Sequence, residues 1–245
     1  MTDAATETTA GTLLGGRVHH AQSRTGHRSA LEPVLLAASI PARAGERVIE
    51  GGTGAGSALL CLAARVPGVG GLGLESNPAM AAIAQANIAA NGFDGLAVET
   101  ADLTATRPAG TFDHALANPP WHAPAATASP DRDRDRARRT TPALFEAWAR
   151  ALSAPLRFRG TMSWIVAADH LAAALAAHAA AGCGSPAIFP FWPKSGRSAR
   201  LLILRSIRGG RGPARLLPGM TLHQADGSLT PEAQSVLRSA ASIEF

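Results

Sequence analysis

From Arg47 onward the chain alternates short apolar runs with longer helical ones, and this alternation limits the fold more than any other feature. Arg47-Val48-Ile49-Glu50 reads as a strand ending in a glycine-rich turn, and Ser57 to Arg65 as a helix. Gly71 to Glu75 reads as a second strand, Pro78 to Asn91 as a second helix, Ala97 to Thr100 as a third strand and Phe112 to Ala117 as a fourth. A fifth strand, Thr161 to Ala167, lies between two helical runs, Pro142 to Leu152 and Leu171 to Ala181. Ala187 to Phe191 and Arg200 to Ile207 are strands with no helix between them, so they are expected to pair antiparallel. Repeated strand–helix units require a mostly parallel sheet with helices on both faces. The expected fold is therefore α/β and Rossmann-like, with a seven-stranded sheet closed by an antiparallel hairpin.

A chain of 245 residues suits one such domain. Residues 1–16 are rich in Thr, Ala and Gly and are expected to be disordered. Residues 17–46 read as an N-terminal extension with one helix, which Pro33 opens and Pro41 ends. Residues 47–210 form the main domain, and residues 211–245 a C-terminal segment packed on it. Cys61 and Cys183 are the only cysteines, too few for a disulfide scaffold or a zinc site. No metal is expected. The N-terminus lacks a signal pattern, and the apolar run Leu171 to Ala181 is too short to span a bilayer. A cytoplasmic protein without membrane contact, and with no obligate protein partner evident, is the expectation.

The charge is unevenly spread. Residues 1–130 hold 7 Lys/Arg against 10 Asp/Glu, residues 131–215 hold 15 against 5, and residues 216–245 hold 1 against 3. A basic surface of this kind favours a polyanion, so nucleic acid is the expected partner. The alternating run Asp131-Arg132-Asp133-Arg134-Asp135-Arg136, with Arg138 and Arg139, has two readings: phosphate contact or a solvated charge run. Arg197 and Arg200, beside Trp192 and without neighbouring acids, are the better candidates for substrate contact.

The glycine turn Glu50-Gly51-Gly52-Thr53-Gly54-Ala55-Gly56 follows a strand and opens a helix. Gly52 and Gly54 let the backbone approach a bound nucleoside closely. No Walker-type lysine follows, which argues against a triphosphate. Glu50 would repel a pyrophosphate but can hold the ammonium of a methionine-like group. Glu75, ending the second strand, is placed to accept from ribose hydroxyls, and Asp102, after the third, to reach an adenine amine. The ligand this set favours is S-adenosyl-L-methionine.

The fourth strand runs into Asn118-Pro119-Pro120-Trp121. Prolines just past a strand end stop further pairing and fix the backbone. An Asn side-chain carbonyl and a proline-flanked backbone carbonyl can accept both hydrogens of one amine, aiming its lone pair, and Trp121 can stack on a planar substrate. The plainer alternative is a rigid loop with a packed Trp. His122 also has two readings, substrate contact or a solvated loop residue.

The tetrapeptide resembles the (Asp/Asn)-Pro-Pro-(Tyr/Phe/Trp) motif of amino-methyltransferases, which act on adenine N6, cytosine N4 or a glutamine amide. Three further segments resemble the bacterial tRNA1(Val) (adenine(37)-N6)-methyltransferase family: His27 to Ala38, Phe191 to Arg200 and Gly227 to Glu232. Trp121 stands where Tyr is usual, His27 where Tyr is usual and Glu32 where Asp is usual. The resemblance implies an N-methyltransferase modifying adenine N6 in tRNA. It implies that residues 17–46 cover the cofactor site, and that Glu50, Gly52, Gly54, Glu75, Asp102 and Asn118 hold S-adenosylmethionine. Asn118, Pro119, Pro120 and Trp121 would then be catalytic. Two alternatives stand beside it: a protein-glutamine or small-molecule amine methyltransferase, and a catalytically silent S-adenosylmethionine- or RNA-binding module.

Overall fold

The computed structural model describes residues 7–24, 31–120 and 142–245. The chain begins with a hairpin, β1 (Thr8–Leu13) and β2 (Val18–Ser23), paired antiparallel in register from Thr8–Ser23 to Leu13–Val18. Then come α1 (Glu32–Ser39), β3 (Arg47–Gly51), α2 (Ser57–Arg65), β4 (Gly70–Glu75), α3 (Pro78–Asn91), β5 (Leu96–Thr100) and β6 (Phe112–Ala117). The second half holds α4 (Pro142–Ser153), β7 (Leu156–Ala167), α5 (Leu171–Ala180), β8 (Cys183–Trp192) and β9 (Leu201–Arg208). Two short strands, β10 (Arg215–Leu216) and β11 (Met220–Thr221), and the helix α6 (Pro231–Ser239) complete it.

The main sheet has the order β10-β8-β9-β7-β6-β3-β4-β5, with β11 also pairing β8. Strands β3 to β7 run parallel, and β9 alone runs against its neighbours β7 and β8. This is the Rossmann-like α/β arrangement expected from the alternation, with the antiparallel β8–β9 pair following from their direct connection. Apolar side chains cover both faces. One core holds Val34 to Ala38 of α1, Ala58 to Ala63 of α2, and Ala81 and Ala84 of α3; Ala233, Val236 and Leu237 of α6 join it. The other holds Phe145, Ala149 and Leu152 of α4 and Ala174 and Ala177 of α5, around Trp164 and Met162. Strands buried on both faces read as near-continuous apolar runs, as Val48-Ile49 and Ile165-Val166 do.

Helix ends follow local chemistry. Asn77 accepts from the Ala79 and Met80 amides, Pro78 fills the first helical position of α3, and Gly92 closes it at φ 64. Thr230 and Pro231 start α6 the same way.

The stretch Thr8–Leu13 lies inside the segment expected to be disordered, yet it forms β1. The cause is long-range. Asn91 and Asn87 on α3 bond the backbone of β2 as a neighbouring strand would: the His19 amide donates to Asn91 Oδ1 at 2.9 Å and the Ala21 amide to Asn87 Oδ1 at 2.8 Å. Their Nδ2 groups return bonds to the His19 and Ala21 carbonyls at 2.7 and 2.9 Å. With β2 anchored, β1 is held by the ladder even though most of its residues are exposed.

Candidate active site

Strands β5, β4, β3 and β6 are neighbours, and their carboxyl ends lie along one edge. In open α/β sheets ligands bind outside this edge. Glu50 and the glycine turn end β3, Glu75 ends β4, Asp102 lies two residues past β5, and Asn118-Pro119-Pro120 continues β6. Gly51 pairs with Ala117, so the amide of Asn118 and the glycine turn leave the sheet side by side.

The turn is built on positive φ at Gly52 (65°), Gly54 (56°) and Gly56 (83°), a region that favours glycine. A side chain at Gly52 would meet the tip of the Trp148 ring at 2.6 Å. One at Gly54 would meet no atom within 4 Å, so the turn presents open space there. A side chain at Gly51 would meet Leu103 Cδ1 at 2.6 Å, so the leucine would have to shift to admit it.

The carboxylates tie this geometry together. Glu75 accepts the Gly54 amide at 2.9 Å and the Asn77 amide at 2.8 Å, strapping the end of β4 to the turn. Asp102 Oδ1 accepts from the Thr104 amide at 2.8 Å and its hydroxyl at 2.7 Å. Glu50 is only 3% exposed, and the Thr53 hydroxyl donates to it at 2.5 Å. Burial pushes the Glu50 carboxyl up to about 8; the Thr53 hydroxyl and a Leu59 backbone bond oppose the rise, and the charge of Glu75 adds to it.

Behind the turn, Ser57 at the start of α2 bonds His20 Nε2 at 2.8 Å. Burial holds the His20 imidazole down to about 4, so the ring is neutral at pH 7. Asn87 Nδ2 reaches the Ala55 carbonyl at 2.9 Å. The N-terminal hairpin thus buttresses the turn from the side of α2 and α3.

Arg197 and Arg200 are exposed in the loop joining β8 to β9. The Ala168 amide donates to the Arg200 carbonyl at 3.0 Å, which places this loop at the carboxyl end of β7, the neighbour of β6. Trp121, His122, His27 and the Asp-Arg repeat 131–136 fall outside the described residues. Sequence reasoning missed Thr53, Asn77, His20 and Trp148. The first two follow an expected site residue by two or three positions; Trp148 sits on the amphipathic helix after Pro142, and its approach to Gly52 has no local signature.

Residues 32–134 match the family model described as the methyltransferase small domain. Of solved structures, the chain is similar to a protein of Agrobacterium tumefaciens described as a predicted O-methyltransferase, with 24% identity, a TM-score of 0.71, and 86% of this chain and 98% of that one covered. A TehB-like SAM-dependent methyltransferase of Corynebacterium glutamicum aligns at 16% identity and TM-score 0.52, covering 75% of this chain and 90% of that one. A 16S rRNA N2 methyltransferase of T. thermophilus, RsmC, solved with AdoMet and guanosine, aligns at 17% identity and TM-score 0.56; the match covers 82% of this chain and 50% of that one. No curated protein sequence matches the chain. At these identities the structural likeness establishes the fold, and the family match supplies the class: the chain is a methyltransferase, with S-adenosylmethionine as its cofactor. The site fits that cofactor. It offers open space over Gly54, with Glu50 and Glu75 at the ends of the adjoining strands, and no Lys or Arg occurs between Val48 and Ala64 to meet a pyrophosphate.

Proposed function

We propose that this chain methylates an exocyclic amine nitrogen of an RNA base, with adenine N6 in tRNA as the first assignment. The observation that carries the reading is the emergence of Asn118-Pro119-Pro120 from β6 directly beside the glycine turn, one residue past the Gly51–Ala117 pair. An amine held there stands next to the methyl donor. The exposed Arg197 and Arg200 on the same edge supply cationic contacts for a polyanion.

Glu50, Gly52, Gly54, Glu75 and Asp102 would hold the cofactor: Gly52 and Gly54 by close backbone approach, Glu75 as acceptor for ribose hydroxyls and Asp102 for an adenine amine. When bound, S-adenosylmethionine would supply an electrophilic methyl carbon, with S-adenosylhomocysteine as the leaving group. The side-chain carbonyl of Asn118 and the backbone carbonyl of Pro119 accept the two amine hydrogens and aim the nitrogen lone pair. Pro120 keeps the backbone from continuing the strand, and Trp121 stacks on the base. Positioning is the main contribution of these residues, since well-oriented reactants gain several kcal/mol over free encounter, on the order of 7–11 in favourable cases. The extra proton leaves the methylated nitrogen to solvent, so no strong base is needed.

Incubation with methyl-labelled S-adenosylmethionine, bulk tRNA and a protein extract tests the reading. Label that ribonuclease releases and protease does not supports it; protease-sensitive label would favour a protein amide as substrate.

A further inference from the structure

Strands β6 and β7 lose register at their amino ends. Phe112 lies opposite Leu156 and His114 opposite Thr161, so the five-residue step from Leu156 to Thr161 spans what two residues of β6 span. The surplus is a bulge that pushes Arg157-Phe158-Arg159 out of the ladder. Bulges of this kind re-aim side chains and are over-represented near functional sites. Gly160 closes the bulge where a Cβ would stand 2.8 Å from the Asp113 carbonyl oxygen. Arg159 adopts φ 68, a left-handed conformation that a residue other than glycine holds only under strain.

The bulge leaves Phe158 73% exposed, its ring seated against Gly209, where a Cβ would collide with it. Arg208 and the loop Gly209-Gly210-Arg211-Gly212 continue from the Thr161–Ile207 pair and lie beside it. Arg157 is engaged by Asp113 at 2.8 Å and Glu46 at 3.4 Å. Among the described residues no acid pairs with Arg159, Arg208 or Arg211. From Pro142 to Arg215 the chain carries ten Lys/Arg and only Glu146 and Asp169 as acids, and Glu146 is paired with Arg150.

We propose that Phe158, Arg159, Arg208 and Arg211 form a second RNA-contacting surface at the amino edge of the sheet, opposite the active-site edge. The inference rests on the reading of the substrate as RNA. An exposed ring seated on a glycine backbone, with Arg159 next to it in sequence and Arg208 next to Gly209, suits an unstacked base between phosphates. The six steps of β7 from Thr161, where regular pairing resumes, to Ala167 put this surface roughly 20 Å from the active-site edge at about 3.3 Å per residue. The ligand that meets both edges is therefore a folded RNA arm rather than a nucleoside or a short oligonucleotide.

The test compares binding of bulk bacterial tRNA and of a five-nucleotide RNA across a salt series. The variants are Phe158→Ser, Arg159→Gly and the pair Arg208→Ser with Arg211→Ser. Each lost phosphate contact should lower the log–log salt slope for tRNA by roughly 0.7–0.9, and losing the ring should weaken tRNA binding about fivefold or more. Binding of the short RNA, which does not engage both edges as a folded arm does, should weaken less than that of tRNA, and binding of S-adenosylhomocysteine should stay near wild type. Arg159→Gly separates contact from folding: it relieves the left-handed strain, so thermal stability should rise while tRNA affinity falls. Wild-type tRNA binding with unchanged affinity and slope in all the variants overturns this surface and leaves the RNA reading standing. Absence of tRNA binding by the wild-type protein overturns both.

Discussion

Gly52 and Gly54 have nearly the same backbone and opposite surroundings, and substituting each by alanine should separate folding from cofactor binding. Both hold positive φ, 65° and 56°, so alanine costs about 1–2 kcal/mol at either position. At Gly52 the new methyl also meets the Trp148 ring at 2.6 Å, and overpacking adds about 1–3 kcal/mol. Gly52→Ala should therefore lose about 2–5 kcal/mol of stability. Gly54→Ala should lose only the backbone part, because no atom lies within 4 Å of its Cβ. For a chain of this size each kcal/mol moves the melting temperature by roughly 2–4 °C. Gly54→Ala should melt a few degrees low, and Gly52→Ala clearly lower. The order reverses in function. The Gly54 methyl enters the space assigned to the cofactor, so calorimetry should show S-adenosylhomocysteine binding at least about tenfold weaker, which is about 1.4 kcal/mol. A Gly54→Ala protein that binds this ligand as tightly as wild type would refute the placement of the cofactor over the turn.

Three further outcomes follow from the site. The Glu50 carboxyl is raised to about 8 in the folded chain, so the unfolded chain loses this proton first as pH rises; the group should erode stability by roughly 1.4 kcal/mol per pH unit across the interval from the ordinary carboxyl value of 4.5 to about 8, and Glu50→Gln should abolish that slope in denaturant titrations. Asn118→Ala should lower the single-turnover rate of methyl transfer at saturating S-adenosylmethionine on the order of 100-fold; a wild-type rate would reduce Asn118 to a strand-terminating residue. Arg197→Ala with Arg200→Ala should flatten the salt dependence of tRNA binding by roughly 0.7–0.9 per lost contact, and an unchanged slope would mean that these arginines do not face RNA.

The alternation from Arg47 onward made most of the sheet legible, because strands buried on both faces leave apolar runs that the intervening helices separate. The parts that escaped are held by distant partners. Thr8–Leu13 has no apolar pattern, and its order depends on Asn87 and Asn91 reaching β2 from α3. The strands β10 and β11 are two residues each and exist only through pairing with β8. The strand read as Thr161 to Ala167 begins at Leu156, since the bulge at Arg157-Phe158-Arg159 hides its start behind a polar, exposed stretch. The sequence placed Glu50, Glu75, Asp102 and Asn118 on one edge because each lies at or just past the end of a strand, and parallel strands bring their ends together. Trp148 was not, because a helix nearly a hundred residues later carries it to Gly52. The same holds for His20, whose bond to Ser57 spans 37 residues.

The central claim is transfer of a methyl group to an exocyclic amine of an RNA base. It is tested most directly by incubating the protein with S-adenosylmethionine carrying a deuterated methyl group and unmodified bulk tRNA, then digesting the RNA to nucleosides for mass spectrometry. The account predicts the label on the base of a single nucleoside, N6-methyladenosine, and its loss with Asn118→Ala. Label on a ribose oxygen or a ring carbon, or equal label with Asn118→Ala, would contradict it.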